Sequence, residues 1–300
     1  MPSRRDKPAG HRGAGQEGFD EMRVIGTVSE LRRFPVKSML GELLPETRVL
    51  TRGIPGDRVC ALIDTETARV ASAKLPQRWR QLLECSASYD DATATIDILL
   101  PDGRHLDPSG AEAGEVLSAL LGRKVRFAFS RPDGLEVERA DPEQVARYGA
   151  TSRVGALLIE IGKGAPEGGF FDAVPIHFIT TASLQRVAEH SLAGRLEPVR
   201  FRPNIVIDSV GLEAFAENDW EGASMTIGNE LHLRVLIPTP RCAVPTLAHG
   251  GVGADPRLTL AIAKLNRRQV LDLGPMPCLG AYAQIVQPGK ICVGDAVQLS

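Results

Sequence analysis

Short β-prone runs between Gly and Pro turns limit the possible folds of this chain more strongly than any other pattern. The 300 residues include 30 Gly and 21 Pro. Strand-length apolar runs such as 93–100 and 231–237 lie between these turn residues. A doubly wound sheet would need strands that alternate regularly with helices, and that alternation is missing here. The pattern therefore predicts a mostly β protein, either a barrel or a sandwich, with a few helices.

Further elements follow from local periodicity. Helical spacing of apolar residues predicts helices over 111–121, 182–193 and 255–269. Thr181 or Ser183 is the candidate N-cap of the second helix, and Asp255 that of the third, with Pro256 at the first helical position. Further strands are predicted over 22–28, 59–64, 204–207, 225–227, 281–286 and 296–299.

Charge and hydropathy exclude several classes of protein. The net charge of −2 gives no overall basic field for nucleic acid. No apolar run approaches the roughly 18 residues of a membrane span. Residues 1–21 lack the apolar core of a secretory signal, so we expect a disordered tail and a cytoplasmic protein. The alternative, a targeting peptide, is opposed by four acidic residues in that segment.

Five cysteines without a C-x-x-C pair indicate reduced thiols rather than a zinc knuckle or a disulfide framework. Cys242 stands out because it follows a Pro-Thr-Pro turn and directly follows Arg241. A neighbouring cation favours the thiolate, which is a nucleophile and a soft metal ligand. A buried structural cysteine is the alternative. A zinc site with His249 would need further ligands.

Three basic turns offer donors for an anionic ligand: 34–38, 53–58 and 200–204. Each places Lys or Arg beside Pro or Gly, which fix the shape of the loop. Solvated surface charges are the alternative. In the third turn, Pro203 predicts an extended Arg202 and leaves Arg202 and Asn204 at a strand edge.

Together these segments resemble the MOSC family, named after the C-terminal domain of molybdenum cofactor sulfurases. The motifs are P-V-K-S at 35–38, G-x-x-G-D-R at 53–58, R-F-R-P-N at 200–204 and R-C at 241–242. The residues at 176–184, 217–222 and 280–295 also match the family pattern. The resemblance implies a MOSC β-barrel preceded by a smaller N-terminal β-barrel domain. We place the N-terminal domain at 22–150 and the MOSC domain at 151–300, with the boundary inside the polar segment 131–172.

The resemblance also implies site residues. Cys242 would ligate molybdenum. The pterin would be bound by the lysine, serine, arginines and asparagine of the matched motifs, here Lys37, Ser38, Arg58, Arg202, Asn204 and Arg241. The hydroxyls of Thr180, Thr181 and Ser183 would approach the cofactor phosphate at a helix N-terminus.

The activity implied is that of an oxidoreductase that reduces a small N-hydroxylated or N-oxide substrate with the molybdenum cofactor. Clustered cysteines of a ferredoxin domain are missing, so we expect a separate electron-donor protein. The loop 245–253 departs from the family pattern, which puts the substrate in doubt. The alternatives are a sulfur carrier with a persulfide on Cys242 and a non-catalytic carrier of the cofactor. Binding of pyridoxal phosphate by Lys37 would need a buried lysine with a lowered pKa.

Overall fold

A computed structural model describes residues 22–192, 194–209 and 211–300. The predicted disordered tail at 1–21 lies outside the described residues. The predicted fold class is confirmed, since the described chain is mostly β with five α-helices. Within the described ranges, no helix has the length and apolar character needed to cross a membrane.

The strands are β1 (Arg23–Arg33), β2 (Glu42–Leu44), β3 (Glu46–Val49), β4 (Ala61–Asp64), β5 (Ser86–Asp90), β6 (Thr95–Leu99), β7 (His105–Leu106), β8 (Val125–Ala128), β9 (Glu136–Ala140), β10 (Ala156–Glu160), β11 (Ile176–Thr180), β12 (Ile205–Ser209), β13 (Ser224–Ile227), β14 (Leu231–Pro240), β15 (Arg267–Gln269), β16 (Pro275–Gln287), β17 (Gly289–Cys292) and β18 (Ala296–Leu299). The helices are α1 (Pro76–Trp79), α2 (Ala113–Leu121), α3 (Pro142–Tyr148), α4 (Thr181–Ala188) and α5 (Arg257–Leu265). Short 3₁₀ turns lie at Arg80–Glu84, Pro198–Phe201, Ala216–Asp219, Val244–Thr246 and Leu271–Leu273.

Seven strands close into a barrel in the order β11-β12-β1-β18-β13-β14-β16, and β16 pairs back with β11. Only β11 and β12 run parallel, and the other six pairings are antiparallel. Closure leaves no unpaired edge around the ring. The interior is filled by apolar side chains such as Val28, Phe178, Met225, Leu233 and Val297.

The first strand belongs to this barrel although it lies far from its partners in sequence. β1 pairs with β12 on one side, where Leu31 faces Ile205, and with β18 on the other, where Arg23 faces Leu299. The hydrogen-bonded sheet therefore includes residues from both predicted domains. The division at 150/151 stays a prediction.

The rest of the N-terminal half forms small sheets around a second core. β4 pairs with β8, and β9 with β10, and bridges through Val70 connect the two pairs. β5, β6 and β7 form a separate meander. Trp79, Leu82, Ile98 and Leu117 are buried in the core that these elements share with α1 and α2. The predicted boundary segment 131–172 contains β9, α3 and β10.

Several element predictions are corrected at their ends. α4 is capped by Thr180 rather than by Thr181 or Ser183, because Thr180 Oγ1 accepts a hydrogen bond from the Ser183 amide. α5 begins after Pro256 and ends at Leu265, where β15 follows instead of further helix. The Asp255 carboxylate accepts a bond from the Leu192 amide at 2.6 Å, so it ties two segments together.

β14 also differs from its prediction, which ended the strand at Ile237. The strand continues through Pro238 to Pro240. The pairing with β16 shifts register between Val235 and Ile237 and between Pro238 and Pro240. These shifts accommodate prolines, which have no amide hydrogen to donate to the ladder. Arg241 and Cys242 therefore follow the last residue of β14 directly.

Candidate functional site

A cleft with about 680 Å³ of empty volume, its open mouth included, lies where the N-terminal turns meet the end of β14. It collects side chains from loops that are far apart in sequence. Its lining residues are Lys37, Ser38, Arg58, Ser72, Lys74, Leu83, Phe171, Asp172, Val174, His177, Arg200, Phe201, Arg202, Asn204, Arg241, Cys242, Val244 and Tyr282. Six of these side chains are cationic, and one is a carboxylate, so the cleft favours anions.

Seven of the ten predicted site residues meet in this cleft. They come from all three basic turns and from the R-C pair: Lys37, Ser38, Arg58, Arg202, Asn204, Arg241 and Cys242. The independent basic turns of the sequence are therefore neighbours in space.

The three predicted hydroxyls lie elsewhere. Thr180 Oγ1 and Ser183 Oγ donate to Glu217 Oε2 at 3.1 and 2.7 Å. Thr181 Oγ1 donates to Asp208 Oδ1 at 3.1 Å. None of the three lines the cleft. Each hydroxyl is engaged near the start of α4 in this structure, and the expected contact with a phosphate stays a prediction.

A buried network joins two of the basic turns. Asp57, which is 1% exposed, forms an ion pair with Arg58. Asn204 Nδ2 donates to Asp57 Oδ2 at 2.9 Å, and Asn204 Oδ1 accepts from Arg58 Nη1 at 3.3 Å. Arg58 Nη2 also donates to the Arg202 carbonyl at 3.1 Å. These bonds fix the positions of Arg58 and Asn204 in the cleft wall.

Arg202 is left-handed (φ 54°, ψ 46°) rather than extended as predicted. Proline disfavours the right-handed helical region for the preceding residue, but the left-handed region is compatible with the turn that ends the 3₁₀ segment. Arg202 Nη1 donates to the Met39 carbonyl at 2.5 Å, and its guanidinium lies 4.3 Å from the centre of the Phe34 ring. Ser38 (φ 69°) and Arg58 (φ 52°) are also left-handed. Such strained conformations concentrate at functional sites.

Cys242 lies in the cleft wall and is 9% exposed. Its neighbour Arg241 is held from several sides. Arg241 Nη1 donates to the Leu279 carbonyl at 3.0 Å and to His177 Nε2 at 3.1 Å, and Nη2 donates to the Phe201 carbonyl at 3.0 Å. The guanidinium therefore stays as a fixed positive charge in the wall that also carries the thiol.

His177 and Tyr282 are lining residues that were not predicted for the site, although both lie in segments, 176–184 and 280–295, that match the family pattern. Burial and the charge of Arg241 hold the pKa of His177 well below its usual value, so the imidazole is neutral at pH 7. Burial and Asp172 raise the pKa of the Tyr282 phenol, which stays protonated. The two rings lie 5.7 Å apart.

Lys74 and Asp172 were also missed, because neither has a distinctive local pattern. Lys37 Nζ lies 2.7 Å and Lys74 Nζ 2.8 Å from the same Asp172 oxygen. Burial lowers the pKa of Lys37 to about 8 despite its pairing with Asp172. Burial opposes ionisation of Asp172, but Lys37 and Lys74 hold its pKa well below the usual range. Lys37 is thus a buried lysine with a lowered pKa, as binding of pyridoxal phosphate would require. Its amine, however, is already ion-paired with Asp172.

The alternative zinc site is not formed by the described residues. They contain no group of three or more His, Cys, Asp or Glu side chains placed to hold a metal ion. His249 does not line the cleft, and its Nδ1 is bonded to the Leu247 carbonyl at 2.9 Å.

Residues 166–298 match the model of the MOSC domain. The family resemblance predicted from the sequence is confirmed over this range.

Among curated proteins, the chain is similar to mitochondrial amidoxime-reducing component 1 of Mus musculus and of Homo sapiens. Each is 25% identical over 305 residues, which cover 93% of this chain and 83% and 84% of the respective relatives. Mitochondrial amidoxime reducing component 2 of Bos taurus is 24% identical over 304 residues, covering 92% of this chain and 84% of the relative. The crystal structure of the YuaD protein from Bacillus subtilis aligns over 93% of this chain and 98% of that chain, with a TM-score of 0.43 and 12% identity.

Proposed function

We propose that the cleft binds a pterin molybdenum cofactor with Cys242 as the metal ligand, and that the protein reduces N-hydroxylated or N-oxide compounds. The observation that carries this proposal is the position of the Cys242 thiol in the wall of a cleft with six cationic side chains. The names of the relatives, which are amidoxime-reducing components, support the reaction type.

The residues of the cleft fit such a cofactor. A phosphate group suits the guanidinium and ammonium donors, and a thiolate is a suitable ligand for a soft transition metal. The Arg241 Nε is buried without a hydrogen-bond partner in the described structure, so a side chain of the cleft wall keeps one unused donor. The protonated Tyr282 phenol adds a neutral donor on the same wall.

Each group of the chain has a distinct task in this proposal. When bound, molybdenum would supply the two-electron redox chemistry. Arg58, Arg202 and Asn204 would hold the anionic ligand in one orientation through their fixed network. Arg241 would place a fixed positive charge beside Cys242, and His177, kept neutral, would hold Arg241 in place. Electrons would come from a separate donor protein.

A sulfur carrier is the second candidate, because Cys242 is the one cysteine among all five that lines the cleft. A persulfide on Cys242 needs the same cationic surroundings but no bound metal.

The test is molybdenum analysis of Cys242→Ala, purified from a host that makes the cofactor. We expect stoichiometric molybdenum in the wild type and only background in the variant. Cys292→Ser is the matched control, since Cys292 lies away from the cleft, and it should keep its molybdenum. Full molybdenum in folded Cys242→Ala would refute the proposed ligation. Thiocyanate released by cyanide from a metal-free wild type would favour the sulfur carrier.

A further inference from the structure

Two lysines in the cleft share one carboxylate oxygen. Lys37 and Lys74 both donate to Asp172 Oδ1, and Lys37 also donates to the Phe170 carbonyl at 2.7 Å. The side chains of Lys37 and Lys74 are 7% and 16% exposed, whereas that of Asp172 is 37% exposed. The carboxylate therefore lies nearer to solvent than the two ammonium groups that it pairs with.

The charges in this cluster do not balance. One carboxylate faces two ammonium groups, and Arg58 lies near enough to lower the pKa of Lys37 further, after burial and Lys74. No other carboxylate lines the cleft in the described chain. Excess positive charge at a partly buried site favours a ligand with more negative charge than one carboxylate carries.

We propose that Lys37 and Lys74 form a phosphate-binding subsite of the cleft, and that Asp172 competes with the ligand's phosphate for both ammonium groups. A phosphate monoester at neutral pH carries nearly two negative charges on three oxygens. It can therefore bond both lysines at once and neutralise both. The Asp172 side chain can turn outward because more than a third of its surface is already exposed.

This competition sets the specificity of the subsite. A monoanion gains little by replacing Asp172, since it brings the same charge as the carboxylate that it displaces. A dianion brings one more negative charge than Asp172, and this extra charge interacts with the second ammonium group, which the single carboxylate leaves uncompensated. The inference deepens the proposed function, on which it rests for the identity of the natural ligand, because a pterin cofactor carries such a phosphate. The lysine pair itself can be tested without the cofactor.

The experiment is calorimetric titration with inorganic phosphate at pH 7 and constant ionic strength, on full-length protein from a host that does not make the cofactor. We expect Asp172→Asn to bind phosphate roughly tenfold or more tightly than the wild type, because the internal competitor is gone. Asp172→Glu restores the carboxylate and should bind like the wild type. Asp97→Asn removes the same charge from an exposed strand pair outside the cleft and should change nothing.

Three results would overturn the proposal: no saturable phosphate binding, equal or weaker binding by Asp172→Asn, or a gain in Asp172→Glu as large as in Asp172→Asn. If Asp172→Asn does not fold, Lys74→Met gives the answer. It keeps the pair of Lys37 and Asp172 and should weaken phosphate binding at least roughly tenfold, and unchanged binding would refute the subsite. Molybdenum analysis of Cys242→Ala tests the proposed function separately, since it does not depend on the phosphate titrations.

Discussion

At the residue scale, His249 links burial to the pH dependence of stability. It is 5% exposed, and its Nδ1 donates to the Leu247 carbonyl. Burial, opposed by that hydrogen bond and reinforced by Arg202 and Arg200, lowers its pKa to about 4. An unfolded histidine titrates near 6.5. Between these values the unfolded chain binds more protons than the folded protein, so the free energy of unfolding falls as the pH drops from about 6.5 to about 4.

His249→Asn should remove this contribution, because asparagine does not titrate and its amide can still donate to Leu247. We expect the variant to lose about 3 kcal/mol less stability than the wild type over that pH range. The measurement is urea unfolding at pH 7, 5.5 and 4.5. His177 has the same sign of shift and stays in both proteins, so only the difference between the two curves reports on His249. Parallel curves would contradict the assignment.

Single residues of the site were predictable where they belonged to a short, unusual pattern. Cys242 followed two prolines and an arginine, and Lys37 and Arg58 lay in Pro- and Gly-rich turns. Asp172 and Lys74 lie in sequence segments without a distinctive motif. Their role follows only from the folded structure, which brings the two side chains together in the cleft. The left-handed Arg202 was missed because the rule for the residue before proline favours extended backbone, and the turn that ends the 3₁₀ segment overrides it here.

At the element scale, the start of α4 has a structural task, which is distinct from the ligand contact that the family resemblance implies. Thr180 Oγ1 accepts from the Ser183 amide at 3.3 Å and donates to buried Glu217 at 3.1 Å. Burial raises the pKa of Glu217, although its hydrogen bonds oppose the shift. Thr180→Ala should therefore cost about 1–2 kcal/mol of stability through the lost cap, with no loss of molybdenum.

Urea unfolding and metal analysis of the same preparation test this. Thr181→Ala is the matched control, since Thr181 is only partly buried and does not cap the helix, so its cost should be smaller. A folded Thr180→Ala protein that loses its molybdenum would restore the phosphate contact that the family resemblance implied.

Element ends were harder to predict than element types. α2 follows its apolar periodicity and ends at Leu121, as predicted. β14 continues through two prolines, which local rules treat as a stop. The tertiary contacts override those rules here: the register shifts against β16 let the strand continue without the missing amides.

At the scale of the whole molecule, barrel closure depends on contacts that no local pattern shows. β1 fills the gap between β12 and β18 and contributes Ile25, Val28 and Leu31 to the barrel interior. Its partners lie more than 170 residues away in sequence. The sequence predicted the class of fold from its many short strands, but it could not assign the first strand to the barrel.

The role of β1 predicts how fragments of the chain behave. A fragment of residues 151–300 lacks β1, so β12 and β18 would face each other across a gap and the apolar interior would be open to water. We expect this fragment to aggregate or to show no cooperative thermal unfolding.

Because Arg23 pairs with Leu299, the end of β18 lies beside the start of β1. A short Asn-Gly linker can therefore join residues 22–33 to Ser300 as a hairpin. The extended fragment should regain a cooperative transition in calorimetry and near-ultraviolet circular dichroism. A version in which Val28 and Leu31 are replaced by serine is the control and should not regain it. Cooperative unfolding of 151–300 alone would show that β1 is dispensable, and the predicted division at 150/151 would then describe an independent domain.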